Sequence, residues 1–221
     1  MQNTLKSTLN FTDYFCDMFF LQTTPGWFSG IEAFDRKIFF LINNDSSNRF
    51  FDAVLPFMRE SNFWAPLYLF MLLFAVLNFG KRGWLWFLFA VCTVALTDLL
   101  SSHLIKEHIF RLRPCQNPAL ADRINILANY CPQSSSFTSS HAANHFGLAV
   151  FVVLTLRRYT SSWIYLFYAW AFIVCYTQVY VGVHYPLDVI SGALVGSLPG
   201  YFMARFFNNY AGLLSLQNKS A

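Results

Sequence analysis

Charged side chains are scarce in this sequence. Of its 221 residues only 12% are Asp, Glu, Lys or Arg, while 56% are hydrophobic; soluble domains carry about a quarter charged residues. No basic run resembles a nucleic-acid-binding arm. The N-terminal stretch MQNTLKSTLNFTDYF lacks the continuous apolar segment and small-residue cleavage site of a signal peptide. The composition argues against a large soluble domain and favours a protein embedded in a bilayer.

Five apolar segments are candidates for membrane-spanning helices. They run over Phe63–Asn78, Trp84–Ile105, Ala142–Leu156, Trp163–Val183 and Pro186–Phe207. Because a span takes about 20 apolar residues, the first and third are short unless flanking residues join them. The fifth contains Gly192, Gly196 and Gly200, a four-residue spacing that allows close helix packing.

The region before residue 60 is less regular. Ile31–Asn44 combines charged side chains with an apolar face, which predicts an amphipathic helix at the membrane interface, with a sixth span as the alternative. The predicted fold is therefore an all-α, polytopic bundle of five or six transmembrane helices. We divide it into an N-terminal interfacial or partly embedded region (1–60), a membrane-integral core (61–210) and a cytoplasmic tail (211–221).

Basic residues in the short connections predict the orientation. Lys81 and Arg82 lie between the first two spans, and Arg157 and Arg158 between the third and fourth. The positive-inside rule makes this side cytoplasmic. The long loop after the second span and the turn at His184 then face outward.

Two of the five cysteines, Cys115 and Cys131, lie in that outward loop. An oxidising exterior favours a disulfide between them, which would contribute about 3 kcal/mol in the chain-entropy model. Two unpaired thiols are the alternative.

Three polar clusters interrupt the apolar pattern on the outward side. In the first, KEHIFRLRP, Lys106 and Arg113 are seven residues apart and would share one face of a helix, after which Pro114 turns the chain. Two such cations can clamp a phosphate. The alternative is a basic flank that anchors a span.

The second cluster, SFTSSHAANHFG, predicts a helix N-terminus. Thr138, Ser139 and Ser140 are favoured N-cap types, and the free backbone amides of a first turn form an anion site. His141 would stand at the mouth of that site. The alternative is a plain cap with a solvated histidine. His145, one turn further, is expected to be a pocket or core histidine and not a catalyst.

The third cluster is VYVGVHYPLDV. Pro186 suits the first position of a helix, which makes Asp188 a first-turn acid favoured by the helix dipole. An ionised Asp188 that accepts a hydrogen bond from one nitrogen of His184 fixes the tautomer and leaves the other nitrogen free for attack. The alternative is that Asp188 only caps its helix.

Together the clusters resemble the motifs of the type-2 phosphatidic acid phosphatase family, K-x6-RP, PSGH and SR-x5-H-x3-D. The first motif matches fully at Lys106, Arg113 and Pro114. The second matches at Ser139 and His141, with Thr138 and Ser140 in place of Pro and Gly. The third matches at His184 and Asp188, with Thr177 and Gln178 in place of Ser and Arg.

The resemblance implies a membrane enzyme that hydrolyses a lipid phosphate or diphosphate with no metal or other cofactor. His184 would attack phosphorus and form a phosphohistidine, His141 would protonate the leaving oxygen and then activate water, and Asp188 would orient His184. The phosphoryl oxygens would be held by Lys106, Arg113, Ser139, Ser140 and Gln178. A neutral amide at position 178 removes one positive charge relative to the family's arginine.

The expected location is the outer face of a bacterial inner membrane. Undecaprenyl pyrophosphate is the favoured substrate because the chain is short, with phosphatidylglycerophosphate, phosphatidate and lipid A as alternatives. The predicted partners are this lipid and the bilayer, not nucleic acid; the oligomeric state is not predicted.

Two other classes stay open at this stage. In a metal-dependent membrane hydrolase, His141, His145, His184 and Asp188 would hold zinc, against the adverse charges of the nearby cations. In a non-catalytic lipid-binding or transport protein, the altered motifs would have lost turnover. Asp98, four and eight residues before Ser102 and Lys106, is an intramembrane acid and a functional candidate expected to support Lys106.

Overall fold

The computed structural model describes residues 26–213, and all the regular elements in this range are helical. Residues 26–213 form seven α-helices: α1 (Gly26–Phe40), α2 (Arg49–Arg59), α3 (Ala65–Phe79), α4 (Lys81–Asp98), α5 (Ser140–Leu156), α6 (Leu166–Tyr180) and α7 (Pro186–Tyr210). The predicted all-α fold is confirmed. A compact unit that begins at Ile38 contains all the helices from α2 onward. The predicted tail lies mostly outside the described residues.

Short turns lengthen several of these helices. A π-helical turn, Leu99–Ile105, extends α4, and 3₁₀ turns precede α3 and α6. Four of the resulting helices are long and apolar enough to cross a membrane: Ser61–Phe79, Lys81–Ile105, Ser162–Tyr180 and Pro186–Tyr210. The predicted segment Ile31–Asn44 is helical throughout, in α1 and a second π-helical turn; its place at the interface stays a prediction.

The central helix of the bundle is α5. It packs most extensively against α7 and also contacts α4 and α6. Eleven of its 17 residues are buried, whereas α3 and α7 expose large apolar side chains such as Leu73 and Leu198. At about 1.5 Å per residue α5 is shorter than a bilayer core of about 30 Å. Because other helices surround it, its length need not match the lipid.

Three glycines let α7 approach α5 at backbone distance. A Cβ added at Gly192, Gly196 or Gly200 would lie 2.4, 2.0 or 2.3 Å from a carbonyl oxygen of Ser139, Ala143 or Gly147. The close packing predicted from the glycine spacing is therefore present. As a consequence the N-termini of α5 and α7 lie side by side, and the Ser139 N–H donates to the Asp188 carbonyl oxygen at 3.0 Å.

The two ends of the bundle differ in their charged residues. Arg82, in the first turn of α4, donates to the carbonyl oxygens of Ala211 and Gly212 just beyond α7, both at 2.8 Å. Arg157 follows α5 at this same end, where Asn208 donates to a carbonyl of the last turn of α5. The basic connections therefore share one end of the bundle, as predicted, and the three polar clusters lie at the other.

Replacing Gly196 with alanine is expected to separate α5 from α7. The new Cβ would lie 2.0 Å from the Ala143 carbonyl oxygen, and this oxygen belongs to the helix backbone, which cannot move away as a flexible side chain would. Overpacking of this kind costs about 1–3 kcal/mol. We expect a lower thermal midpoint in detergent together with lower activity.

The matched control is Gly30→Ala in α1, where an added Cβ meets nothing within 4 Å and alanine favours the helix. If Gly196→Ala unfolded at the same temperature as this control, the packing account would be wrong.

Candidate active site

The loop between α4 and α5 folds into two segments that hold each other in place. The Ser136 N–H donates to the Arg111 carbonyl oxygen at 2.8 Å, and the Arg111 N–H donates to Ser135 Oγ at 3.0 Å. The disulfide between Cys115 and Cys131, with Cα atoms 6.1 Å apart, joins the same two segments. The predicted bridge is thus confirmed.

Lys106 and Arg113 do not share a helix face, contrary to the prediction. The helix ends at Ile105, and Arg113 is extended, with φ −71° and ψ 153°, because a residue before proline disfavours the helical region. In an extended chain, side chains two residues apart point to the same side. Arg111 accordingly reaches the same polar cluster as Arg113, although it was not predicted from the sequence as a site residue.

Asp188 is fully buried and accepts three hydrogen bonds. Its Oδ2 accepts from the Tyr185 N–H at 2.9 Å and from Ser136 Oγ at 2.5 Å, while Oδ1 accepts from Arg111 Nη1 at 2.5 Å. The bond from Tyr185 caps α7. The other two tie the α4–α5 loop to this helix, so Asp188 does more than cap.

His184 lies between Arg113 and Asp188 and is 2% exposed. Its Nε2 is 2.9 Å from Arg113 Nη1. Because a guanidinium can only donate, Nε2 is the acceptor, and the proton of the neutral ring is on Nδ1. Nδ1 lies 3.4 Å from Ser136 Oγ and 3.7 Å from Asp188 Oδ2. The expected direct hydrogen bond to Asp188 is therefore not formed; the carboxylate acts at ion-pair distance, and the Ser136 hydroxyl contacts both groups.

The surroundings of His184 keep its ring neutral at physiological pH. Burial is the largest effect and lowers the pKa; Asp188 opposes this, and Arg113 and Lys106 add to it, which brings the pKa to about 4. An unprotonated imidazole retains the lone pair that a nucleophile needs.

The guanidinium of Arg113 is committed to the protein. Nε donates to the Ser134 carbonyl, Nη2 to Ser134 Oγ and the Ser135 carbonyl, and Nη1 to the Val183 carbonyl and His184 Nε2. These contacts use all five N–H groups of an arginine. To hold a phosphoryl oxygen, Arg113 must give up a protein contact, and the one to Nε2 is the contact that an attack by His184 would break.

The first turn of α5 leaves two amides without a partner in the helix. Ser139 is the N-cap, and its Oγ accepts from the Ala142 N–H at 3.4 Å. The helical ladder starts with the Ala143 N–H, which donates to the Ser139 carbonyl. The amides of Ser140 and His141 remain for another acceptor, as an anion site requires; that a phosphate binds there stays a prediction.

Asp98, at the end of α4, forms hydrogen bonds next to the first turn of α5. Its Oδ1 accepts from Ser102 Oγ and from Asn144 Nδ2, both at 3.2 Å, and Ser102 Oγ lies 2.9 Å from Ser140 Oγ. The intramembrane acid therefore joins α4 to the first turns of α5 through three polar side chains.

Lys106 follows directly after the helical turn that extends α4. Burial lowers its pKa most and Arg113 adds to this, while Asp98 and Asp188 oppose, and the pKa is about 8. Asp98 thus supports the lysine through its charge. Burial likewise lowers the pKa of Arg113, to about 10, so both groups are cationic at neutral pH.

His141 and His145 border an apolar cavity of about 670 Å³ between α3, α4 and α5. His145 Nδ1 donates to the His141 carbonyl at 2.8 Å, and its ring centre is 4.9 Å from that of Trp170; it is a pocket histidine, as predicted. The lining is polar only at one end. The apolar part includes Tyr68, Met71, Phe87, Ala90, Val94 and Leu148.

Gln178 is completely buried. Its Oε1 accepts from Arg59 Nε at 3.3 Å, and its backbone carbonyl accepts from the His184 N–H at 3.2 Å. Within residues 26–213, its Nε2 has no hydrogen-bond partner. Arg59, like Ser136 and Arg111, was missed by the sequence analysis; it lies 119 residues away from Gln178 along the chain, with no motif around it.

The alternative zinc site does not form. Among residues 26–213 no group of three or more His, Cys, Asp or Glu side chains is arranged to hold a metal ion. Asp188, which that reading required as a ligand, is engaged by Arg111 and Ser136.

Residues 83–211 match the PAP2 superfamily, and this match covers more than half of the 221 residues. The chain belongs to the PAP2 superfamily. It is 32% identical over 171 residues to the lipid A 4'-phosphatase of Bacteroides thetaiotaomicron, a match that spans 74% of each chain. It is 46% identical over 66 residues to the undecaprenyl-diphosphatase of Sulfolobus acidocaldarius, which spans 30% of this chain and 31% of that one.

The crystal structure of LpxE from Aquifex aeolicus has the same fold as this PAP2 protein. The two are 25% identical with a TM-score of 0.58, over 76% of this chain and 93% of that one. With its membrane-spanning helices, the protein is a multi-pass PAP2 lipid phosphatase, so the reading as a non-catalytic lipid-binding protein is wrong.

The lowered pKa of Lys106 predicts an alkaline limit to activity. The ammonium is present below about pH 8 and is lost above it, so kcat/KM, which reports the free enzyme, should fall as the pH rises through this range. Lys106→Arg keeps its charge at all accessible pH values and should move the limit upward.

Lys81→Arg, at the opposite end of the bundle, is the control and should leave the profile unchanged. An alkaline limit that stays in place in Lys106→Arg would show that another group titrates.

Proposed function

We propose that this PAP2 protein hydrolyses the phosphate monoester of a lipid A-type substrate through a phosphohistidine on His184. The observation that carries the mechanism is the geometry of this ring. Its Nε2 is an acceptor 2.9 Å from a buried arginine, and its Nδ1 faces Ser136 and Asp188. A phosphoryl group that replaces the Arg113 contact would meet the lone pair of Nε2.

In the first step, Nε2 attacks phosphorus in line, the bond from phosphorus to the lipid oxygen breaks, and His141 gives its proton to that oxygen. The ring of His184 becomes positive, and Asp188 and Ser136 stabilise it at Nδ1. In the second step, His141 takes a proton from water, the water oxygen attacks phosphorus, and the P–N bond breaks. Inorganic phosphate and the dephosphorylated lipid are the products.

Fixed positive groups stabilise the charge that the transferring phosphoryl group carries. A phosphate monoester bears about −1.5 to −2 at neutral pH. Lys106, the Ser139 hydroxyl and the amides of Ser140 and His141 would supply positive charge and hydrogen-bond donors, and Arg113 would join them when it releases His184. Such groups act most strongly where water is excluded.

Two observations favour a lipid A-type monoester. The apolar cavity beside His141 suits an acyl chain. The similarity to a lipid A 4'-phosphatase extends over 74% of the chain, while that to an undecaprenyl-diphosphatase extends over 30%. The isoprenoid diphosphate favoured from chain length stays a prediction that the substrate panel tests. By the positive-inside rule, the basic end of the bundle lies in the cytoplasm and the site opens on the outer face of the inner membrane.

Phosphate release from a panel of lipid phosphates tests the proposal. The full chain in detergent is offered lipid A with a 4'-phosphate, undecaprenyl pyrophosphate, phosphatidylglycerophosphate and phosphatidate. We expect the highest kcat/KM on lipid A, no loss of rate with a chelator, and a loss of roughly a thousandfold or more in His184→Ala, since nucleophile removal has effects of this size.

His108→Ala changes an exposed histidine of the α4–α5 loop and should retain activity. A preference for undecaprenyl pyrophosphate would overturn the substrate assignment, and a rate abolished by chelator or unaffected in His184→Ala would overturn the mechanism.

A further inference from the structure

A buried cation from outside the region that matches the family lies next to the site. Arg59 is the last residue of α2 and is 3% exposed. Its Nε donates to Gln178 Oε1 at 3.3 Å, its Nη1 to Glu60 Oε1 at 3.1 Å, and its guanidinium lies 5.0 Å from the centre of the Tyr130 ring. A guanidinium is seldom buried unless it has a counter-charge.

The counter-charge that the protein supplies to Arg59 is weak. The side chain of Glu60 is 44% exposed, so water screens its charge. Gln178 contributes a neutral carbonyl. Among residues 26–213, the Nη2 group of Arg59 makes no hydrogen bond.

Arg59 is also close to the groups of the proposed mechanism. The pKa of Arg113 is lowered most by burial and raised by Asp188. The charge of Arg59 is the third largest effect, and it lowers this pKa further. It lies within electrostatic range of His141. The backbone carbonyl of Gln178, its partner, accepts a hydrogen bond from the His184 N–H. Gln178 therefore connects the guanidinium of Arg59 to the proposed nucleophile.

An unsatisfied donor lies beside Arg59, on the side chain that accepts from its Nε. Gln178 Nε2 is buried and has no hydrogen-bond partner in the described part of the chain, residues 26–213, although buried polar groups are normally hydrogen-bonded. Arg113 has no spare N–H group. An anionic ligand would accept a hydrogen bond from Gln178 Nε2 and balance the buried charge of Arg59, whose partner Glu60 is 44% exposed.

We propose that Arg59 binds the phosphoryl group of the substrate, and that Gln178 positions Arg59 and donates its Nε2 to the same group. The guanidinium then stands in for the arginine that the resembled family carries at position 178. This inference rests on the proposed phosphatase function. Because an arginine at 178 would place a second cation against Arg59, the neutral glutamine is what allows α2 to supply the charge.

Four variants test the pair: Arg59→Met, Arg59→Lys, Gln178→Arg, and the double variant Arg59→Met with Gln178→Arg. Each full-length protein is assayed for kcat and KM on the best lipid phosphate. Inorganic phosphate is the second probe, and its dissociation constant is measured by calorimetry. Arg49→Met, an exposed arginine at the start of the same helix, is the matched control.

Arg59→Met should lower kcat/KM by roughly a hundredfold or more, the effect of removing one transition-state donor, and weaken phosphate binding at least about tenfold, as loss of a charged hydrogen bond predicts. Arg59→Lys should bind phosphate with intermediate affinity. Gln178→Arg alone should be impaired by repulsion from Arg59, but in the Arg59→Met background it should restore phosphate binding. Arg49→Met should behave as wild type.

Unchanged phosphate affinity in Arg59→Met would overturn the proposal, as would a loss of activity that Gln178→Arg does not reverse, since a purely structural role predicts that pattern. A wild-type protein that binds inorganic phosphate but releases none from any lipid would overturn the proposed function instead. The binding measurements would still decide the role of Arg59. Thermal midpoints of all variants separate misfolding from loss of the contact.

Discussion

The buried carboxylate of Asp188 is the contact on which the geometry of the site depends. It caps α7, holds the α4–α5 loop through Ser136 and Arg111, and supplies negative charge 3.7 Å from Nδ1 of His184. Breaking a buried charge pair by removing one partner costs about 3–5 kcal/mol. Three parts of the chain that are distant in sequence therefore keep their relative positions because one carboxylate must be satisfied.

The glycine contact between α5 and α7 makes this arrangement possible. It lets the N-termini of α5 and α7 lie side by side. The partial positive charge of each N-terminus adds to the charge of the lysine and arginine side chains. Positive groups are thus in place at the site before any substrate arrives. Burial keeps His184 neutral in this field, with its pKa near 4, so the proposed nucleophile would not need to lose a proton to the solvent before it attacks.

The sequence was sufficient for the features that depend on local pattern. Apolar run lengths located the spans, and glycine spacing predicted close packing of the last one. Residue types limited the cap of α5 to Thr138, Ser139 or Ser140 and identified the first-turn acid Asp188, and the outward loop favoured the disulfide. Each of these is encoded within a few residues or follows from compartment and spacing.

Features that depend on the path of the chain were not predictable in this way. The prediction that Lys106 and Arg113 share one face of a helix was wrong because the helix ends at Ile105. Ser136 and Arg111 meet Asp188 only through the fold of a long loop, and Arg59 reaches Gln178 from a helix that no motif marks. In the sequence, Gln178 indicates the loss of the positive charge that the family's arginine would carry. In the structure, Gln178 lies against the buried guanidinium of Arg59.

In the proposed mechanism Nε2 of His184 is the atom that receives the phosphoryl group, and trapping the covalent intermediate tests this most directly. The enzyme is mixed for a few milliseconds with lipid substrate carrying a labelled phosphate, then denatured in alkali, in which phosphohistidine survives, and digested to peptides. We predict label on the peptide that contains His184 and none in His184→Ala. Label on a different residue, or release of phosphate in a single turnover with no labelled peptide at any time, would contradict the account.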